Sequence, residues 1–378
     1  MSTIMRFQPF EMERWQSTWE NEVDYNLSES GVHPLVLAEL LDLARGDVGD
    51  TLLGYGQSNG SRELRAHIAR LYPGASEANV MVTNGSAEAN FVAMWQLLEA
   101  GGGAGEVVVI VPAYMQTAGL AASFGVPVRH IPLREALGWQ PDPDDVAAAV
   151  TDRTRVVVVT NPNNPTGAVL DDAARRAILD AAARTGAWIL ADEVYTGAEL
   201  DGAETRSFFG SYPRVIATGS LSKAYGLPGL RVGWVISDAE TADRLWARTD
   251  YTTISPGALT DRLAALALRP DVRPRILERS RALLRDGLRT LEQWFRDRGD
   301  FRYRAPDAGA ICFARYDLPV RSTDLAERLR VERSVLIVPG EHFGVDRTIR
   351  FGYGLPTHDL TAALDRVSDV LDAITATA

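Results

Sequence analysis

The sequence predicts an α/β protein with a large domain, built on a mainly parallel sheet between helices, and a smaller α+β domain. At 378 residues the chain is longer than one ordinary core requires. Short apolar runs without polar alternation recur between residues 79 and 236, as in strands buried on both faces of a parallel sheet. After about residue 258 this rhythm ends. We therefore divide the chain into an N-terminal arm that joins the small domain (1–35), a large domain (36–258) and a small domain (259–378).

The individual elements follow from periodicity and from helix start and stop signals. In the arm, Trp15 and Trp19 would share one helix face, which needs a surface to bury against, and a neighbouring subunit is a candidate. Helices are predicted at 35–45, 64–71, 86–98 and 171–185, and strands at 79–83, 107–111, 126–131, 156–160, 188–191, 215–218 and 232–236. In the small domain we expect helices at 276–295 and 360–374 and strands at 310–315, 335–338 and 348–353.

Composition narrows the functional class. A formal charge of −11 argues against nucleic acid or an anionic membrane as the main partner. The single cysteine excludes an intrachain disulfide framework, and five scattered histidines give no metal-ligand spacing. The start of the chain has no signal-peptide pattern, and no apolar run reaches the ~18 residues of a membrane helix. We expect a cytoplasmic protein without a metal, nucleic-acid or membrane partner.

Residues 217–234 concentrate the chemistry. Lys223 follows Ser220 and Ser222, precedes Arg231 by eight positions, and lies in a glycine-rich loop between two apolar strands. A lysine in such surroundings must be neutral or covalently engaged, and the hydroxyls and guanidinium suit a phosphate. A Schiff-base lysine beside a phosphate site indicates a pyridoxal phosphate enzyme. The alternative, a surface lysine in a basic loop, fits the apolar flanks poorly.

Three motifs at strand ends support this interpretation. Gly85-Ser86-Ala87 opens a helix whose free amides suit a phosphate, although most such turns are only helix starts. Asn164 lies in a rigid Asn-Pro-Asn-Asn-Pro-Thr-Gly loop after a strand, where α/β sheets bind ligands. Asp192 could keep a pyridine nitrogen protonated, and Tyr195 could bond a phenolic oxygen. A tight turn and a capping aspartate with a core tyrosine are the structural alternatives.

Arg350 lies between Ile349 and Phe351 in the small domain. An arginine in an apolar strand needs an anionic partner, and a substrate carboxylate matches its two parallel donors. A buried ion pair with one of the chain's many acids is the alternative.

In order and spacing these motifs resemble the class I and II aminotransferases, a family of fold-type I pyridoxal phosphate enzymes, over essentially the whole chain. The resemblance implies that Lys223 forms the internal aldimine and then moves the α-proton by way of a quinonoid, converting an amino acid to a keto acid. It also implies a homodimer with shared active sites. By position it assigns Asp192 to the ring nitrogen, Asn164 and Tyr195 to the ring oxygen, and Tyr114 to ring stacking. It assigns the phosphate to Gly85, Ser86, Ala87, Ser220, Ser222, Arg231 and a neighbouring subunit's Tyr55. It assigns the substrate to Arg350, Gly31 and Asn164.

Two loops depart from the ordinary pattern. Residues 28–34 lack the usual Gly-x-Pro, and with 223–231 and 338–344 they are similar to the capreomycidine synthase branch, which handles arginine derivatives by elimination and ring closure. A lyase or cyclase of specialised metabolism is therefore the alternative to transamination, which we place first because residues 161–167 and 192–195 match ordinary members. Glu29 is a candidate acceptor for a cationic side chain. A DNA-binding regulator with an aminotransferase-like domain is a third alternative, and the short acidic arm argues against it.

Overall fold

The computed structural model describes residues 8–99 and 105–376. The α-helices of these residues are α1 (Glu11–Trp19), α2 (Leu37–Ala44), α3 (Arg62–Ala69), α4 (Ser86–Glu99), α5 (Gln116–Ser123), α6 (Pro143–Ala149), α7 (Asp172–Thr185), α8 (Ala239–Thr249), α9 (Ala258–Ala267), α10 (Arg273–Arg298), α11 (Ser322–Arg333) and α12 (Thr357–Thr375). The strands are β1 (Tyr25–Asn26), β2 (Val80–Thr83), β3 (Glu106–Val111), β4 (Val128–Arg134), β5 (Gln140–Pro141), β6 (Thr154–Thr160), β7 (Trp188–Asp192), β8 (Val215–Ser220), β9 (Gly233–Ile236), β10 (Phe301–Tyr303), β11 (Ile311–Tyr316), β12 (Val335–Leu336), β13 (Val338–Pro339) and β14 (Thr348–Gly352).

An eight-stranded sheet in the order β2-β9-β8-β7-β6-β3-β4-β5 forms the centre of the large domain. The five strands from β8 to β4 are parallel to one another, which confirms the predicted mainly parallel sheet. β9 is antiparallel to both of its neighbours. β8 and β9 are joined by one short loop that contains Lys223, and a connection of this kind suits antiparallel neighbours, whereas a parallel pair needs a crossover.

The middle strands are buried on both faces, which explains their unbroken apolar sequence. In β3, Val108 and Ile110 belong to one hydrophobic cluster, and Val107 and Val109 belong to the cluster on the opposite face. β6 repeats this division, with Val157 and Val159 facing the first cluster. Helices cover both faces of the sheet, so its polar loops at the strand ends are the places left for a ligand.

The small domain carries a four-stranded antiparallel sheet in the order β10-β11-β14-β13. The arm joins it through β1, which pairs in parallel with β12. Trp15 Nε1 donates to the Ile337 carbonyl (2.9 Å), and the Arg330 guanidinium lies 3.8 Å from the centre of the Trp19 ring. The expectation that a neighbouring subunit covers the tryptophan face was therefore wrong, because the chain's own small domain covers it.

The predicted strands and helices form within a few residues of their expected bounds. The apolar segment 335–338 is divided into two short strands, β12 and β13, on either side of Ile337. Among the described residues, no helix is both long and apolar enough to span a membrane.

Candidate active site

A cavity of about 160 Å³ lies where β6, β7 and β8 end, beneath the arm helix α1. Ligands of open α/β sheets bind at this edge. The cavity brings together seven of the residues that the sequence predicted for the site: Ser86, Ala87, Tyr114, Asn164, Asp192, Tyr195 and Lys223. It is also lined by residues that were not predicted: Met12, Glu13, Gln16, Glu20, Ser30, Gln116, Thr160 and Val194.

Lys223, the single lysine of the chain, forms an ion pair with Glu29 in this cavity. The distance from Lys223 Nζ to Glu29 Oε1 is 2.9 Å. The same oxygen accepts the N–H groups of Ser30 (2.8 Å) and Gly31 (2.7 Å). Burial alone would raise the pKa of Glu29, but the Lys223 charge and these hydrogen bonds outweigh it and lower the pKa to about 2. Burial likewise opposes the charge of Lys223, and Glu29 more than offsets it, so the pKa of Lys223 is raised.

Asp192, at the end of β7, is buried and oriented from two sides. Its Oδ2 accepts Asn90 Nδ2 (3.1 Å), and its Oδ1 accepts the Val194 N–H (3.3 Å). Burial raises the pKa of Asp192, and these hydrogen bonds oppose the rise. Asn90 is fixed in turn by the Thr218 hydroxyl (3.0 Å). Asn90 was not predicted, although its position one turn after Ser86 places it on the same face of α4.

Tyr195, Asn164 and Tyr114 each bond to a neighbouring element of the site. The Tyr195 hydroxyl donates to Ser30 Oγ (3.0 Å), which ties β7 to the loop of Glu29. Asn164 Oδ1 accepts Arg350 Nη1 (2.9 Å). The Tyr114 hydroxyl donates to Glu13 of α1 (2.8 Å), so the arm is bonded to the aromatic side chain that was predicted to stack on a ring.

Arg350 lies in β14, behind the wall formed by Asn164, and is 1% exposed. Besides Asn164 it donates to the Ser28 carbonyl and contacts Met12 Sδ (3.7 Å), and its Nε has no partner in the described part of the chain. No carboxylate pairs with it among the described residues, so the alternative of a buried ion pair is not realised there. Burial lowers its pKa, while Tyr195 and the acids of the cavity oppose that change.

A tight backbone cradle lies at the start of α4. Gly85 has φ +79°, and a Cβ on it would lie 2.4 Å from Arg231 Nη2. A Cβ on Gly233 would lie 2.4 Å from the Ser86 nitrogen. The first-turn N–H groups of α4 have no acceptor within the helix. Amides and a guanidinium that converge in this way form a site for a phosphate.

Several predicted residues lie outside the cavity lining. Ser220 Oγ accepts the Ser222 N–H (3.2 Å), and Ser220 lines a second cavity of about 350 Å³ behind the Lys223 loop. Gly31 packs against the lysine, since a Cβ on it would lie 3.4 Å from Lys223 Cδ. Tyr55 is 90% exposed and lines a surface groove that includes Thr253.

The arm helix gives the cavity an acidic wall. Glu13 of α1 and Glu20, the residue directly after α1, line it together with Glu29 and Asp192, and Lys223 is the single cation among the described residues that line it. Burial raises the pKa of Glu20, and the neighbouring carboxylates of Glu29 and Glu13 raise it further. The sequence signal was the i, i+7 spacing of the two glutamates on the helix face away from the tryptophans.

These residues fit pyridoxal phosphate. The buried Asp192 is placed for a ring nitrogen, and Asn164 and Tyr195 lie beside it for the ring oxygen. The Gly85 cradle has no room for a larger residue, and its N–H groups and the Arg231 guanidinium suit a phosphate. Lys223 opens into the same cavity, as a Schiff-base lysine must.

The family model for "Aminotransferase class I and II" matches residues 21–367. The chain is 36% identical to capreomycidine synthase of Streptomyces vinaceus, with 95% of this chain and 93% of that one covered. The crystal structure of a PLP-dependent aminotransferase from Streptococcus suis is similar with a TM-score of 0.91 and 31% identity, covering 98% of this chain and 99% of that one. The PLP-dependent cyclase OrfR is similar with a TM-score of 0.88 and 28% identity, and the coverage is again 98% and 99%.

Proposed function

The chain belongs to the class I and II aminotransferase family, and from that premise we propose that it acts on an α-amino acid with a cationic side chain. Pyridoxal phosphate is the cofactor. The observation that carries the proposal is the charge of the cavity. Among the described residues, four carboxylates line it, three of them from the arm, against one lysine.

The negative wall favours a cation because the cavity is small and mostly enclosed by protein. Charges in such surroundings are screened less than on an open surface, so opposite charge on a ligand is strongly preferred. With Lys223 bound to the cofactor, the wall would lose its own cation, and Glu20 would face the substrate's side chain. A guanidinium with its planar donors suits a carboxylate.

The substrate's other end is assigned to Arg350. A buried guanidinium without a carboxylate partner is destabilising by itself and has unused capacity for an anion. An α-carboxylate reaches it where Met12 and Asn164 now lie, which places the arm helix directly over the bound amino acid. Gly31, the second predicted carboxylate ligand, donates its N–H to Glu29.

Bound pyridoxal phosphate supplies an electron sink for the charge that develops on the substrate's α-carbon. Asp192, held by Asn90, is placed to keep the ring nitrogen protonated. Tyr195 and Asn164 would hold the ring oxygen, and Tyr114 would stack on the ring. Lys223 takes up and returns the substrate's proton as general base and acid.

For the reaction we place elimination with ring closure ahead of transamination. Glu29, in the loop where ordinary members carry Gly-x-Pro, contacts the catalytic lysine directly. The similarity to a capreomycidine synthase and to a cyclase supports the same choice. In this reaction Lys223 takes the α-proton and passes it to the hydroxyl that leaves the β-carbon, so that water departs. A side-chain nitrogen then bonds to the β-carbon, and its proton returns through Lys223 to the α-carbon.

Transamination is the second candidate, and a different observation favours it. Asn164, Asp192 and Tyr195 are intact and converge on one cavity with Lys223, as transamination of an amino acid to a keto acid requires. Substrates without a leaving group on the β-carbon cannot undergo this elimination, so transamination is the reaction that they test.

Product analysis with the enzyme that contains pyridoxal phosphate distinguishes elimination with ring closure from transamination. The enzyme is incubated with β-hydroxyarginine, and separately with arginine plus pyruvate, and the products are identified by mass spectrometry. From β-hydroxyarginine we expect the wild-type enzyme to form a cyclic amino acid that is lighter by one water, without a keto acid. The Lys223→Ala variant should form no cyclic amino acid. Formation of alanine and the keto acid of arginine would establish transamination instead. No product in either incubation would contradict the proposed substrate class.

We further propose a homodimer located in the cytoplasm, with Tyr55 completing the partner's phosphate site. Leu52 and Leu53 are exposed close to Tyr55 in the chain, and the exposed Ile254 lies between Thr253 and Ser255, which line the same groove as Tyr55. An exposed cluster of this size supports an interface with a second copy.

A further inference from the structure

We propose that Glu29 is a positioning residue for Lys223: it holds the free ε-amine in its ammonium form and fixes the direction of its proton over the cavity. The inference rests on the proposed function only in taking Lys223 as the reactive amine, and it is independent of which reaction follows. When the lysine is bound to the cofactor, it carries no free ammonium. The ion pair therefore forms once Lys223, released by an incoming amino acid, has taken up the substrate's α-proton.

The carboxylate of Glu29 is held in place before the lysine reaches it. Two backbone N–H groups, those of Ser30 and Gly31, bond the same Oε1 that accepts Lys223. The loop is itself fixed, because Tyr195 bonds the Ser30 hydroxyl. Its other side is packed so closely on β14 that a Cβ on Gly352 would lie 2.3 Å from the Glu29 carbonyl oxygen. An acceptor held this firmly can position a flexible lysine.

The other charged and titratable groups that face Lys223 form hydrogen bonds with other residues or act on the lysine through their charge alone. Glu13 on α1 accepts the Tyr114 hydroxyl, and Asp192 at the end of β7 accepts Asn90 and a backbone N–H. Glu20, directly after α1, and Arg350 on β14 act on the lysine only through their charge, without a hydrogen bond to it among the described contacts. Tyr195 bonds Ser30. Glu29 is thus the residue that decides the protonation of Lys223.

The consequence is chemical. An ammonium donates a proton but cannot attack a carbon, whereas a neutral amine does the reverse. Holding Lys223 as the ammonium after it has taken the α-proton keeps that proton for the substrate. It also slows the return of Lys223 to the cofactor before the substrate has reacted.

Because Lys223 is the chain's single lysine, its protonation can be followed by NMR without the need to assign signals to several lysines. Lysine labelled with ¹³C at the ε-carbon gives one side-chain signal in the full-length chain freed of cofactor. Its chemical shift is followed from about pH 7 to about pH 11, across the ordinary lysine pKa of ~10.4. The variants are Glu29→Gln, whose amide oxygen still accepts the Ser30 and Gly31 N–H groups, and Glu20→Gln as a matched control on the same cavity wall.

We expect wild-type Lys223 to titrate above the ordinary lysine value. In Glu29→Gln the acid dissociation constant of Lys223 should rise about tenfold or more, as for loss of a hydrogen bond between charged groups. Glu20→Gln should change it by less than about threefold. Equal titration of Glu29→Gln and wild type, or an equal effect of Glu20→Gln, would overturn the proposal. So would a wild-type midpoint at or below the ordinary value, a result that needs no variant to fold.

Discussion

At the scale of single residues, charge placement distinguishes this site from an ordinary protein interior. Among the residues that the structure describes, no carboxylate pairs with the buried Arg350, and Glu29 is a carboxylate whose partner is the reactive lysine. Removing either charge should therefore change substrate binding or proton transfer more than folding. Glu193, next to Asp192, is the contrasting case, because its charge is suppressed by burial.

Arg350→Lys should raise KM for every amino acid substrate by about tenfold to a hundredfold, whatever the side chain. Lysine keeps the charge but loses the paired donors that match a carboxylate, and hydrogen bonds between charged groups contribute ~1.5–3 kcal/mol. Steady-state kinetics on cationic and neutral amino acids measure this. Arg366→Lys, in an exposed ion pair with Asp24, is the matched control. An effect confined to one side-chain class would assign Arg350 to another role.

Glu193→Gln should stabilise the protein at pH 8 and change its stability little at pH 5. Burial raises the pKa of Glu193 to about 7. The folded chain therefore binds this proton more tightly than the unfolded chain, and stability is lost as pH rises from about 4.5 to about 7. The gain in unfolding free energy is at most about 3 kcal/mol, and glutamine can still accept the Phe208 N–H. Urea melts at both pH values measure it, and an equal effect at both would refute the account.

At the scale of elements, the arm helix α1 joins the small domain to the cavity. Its tryptophan face lies on Ile337 and Arg330, and its acidic face closes the site. A movement of α1 would uncover Arg350, since Met12 lies against that guanidinium. The stability of this one helix should thus control access of the substrate carboxylate.

Trp15→Phe should loosen α1 without unfolding the protein. The change removes the N–H that bonds the Ile337 carbonyl and leaves that acceptor unpaired, a loss of about 1 kcal/mol. Hydrogen exchange of the α1 amides, followed by mass spectrometry, should accelerate about fivefold. Trp19→Phe, which removes no direct hydrogen bond of this kind, should leave it nearly unchanged. Equal exchange in Trp15→Phe and wild type would exclude the anchoring role.

Sequence alone predicted the longer strands, though not β1, β5 and β10, and it singled out seven residues that line one cavity, because local signals determine them. The runs of β3 and β6 are apolar since both faces are buried, and Asp192 and Asn164 directly follow strands. What it missed depends on packing between distant segments. Asn90 matters only because α4 lies beside β7, and the ion pair of Glu29 with Lys223 joins residues 194 positions apart. No local pattern encodes such contacts.

At the scale of the whole molecule, the exposed apolar side chains around Tyr55 predict association. Sedimentation should give a species of twice the 41.2 kDa chain mass. Leu53→Asp, at a position 81% exposed, should shift it towards the monomer with loss of activity, since a charge in an apolar interface is unfavourable. Val331→Asp, at an exposed position of α11, is the control and should leave the mass of the species unchanged. An active wild-type monomer would contradict the proposed assembly.

The central claim, that the cavity selects a cationic amino acid, is tested most directly by a pair of substrates equal in shape and different in charge. β-Hydroxyarginine carries a guanidinium, and β-hydroxycitrulline carries a neutral ureido group in its place. The measurement is kcat/KM of the loaded enzyme for each. We predict a preference of about a hundredfold or more for the arginine derivative, from the ~1.5–3 kcal/mol of each charged hydrogen bond, and a smaller preference in Glu20→Gln. Equal kcat/KM for the two substrates would contradict the account.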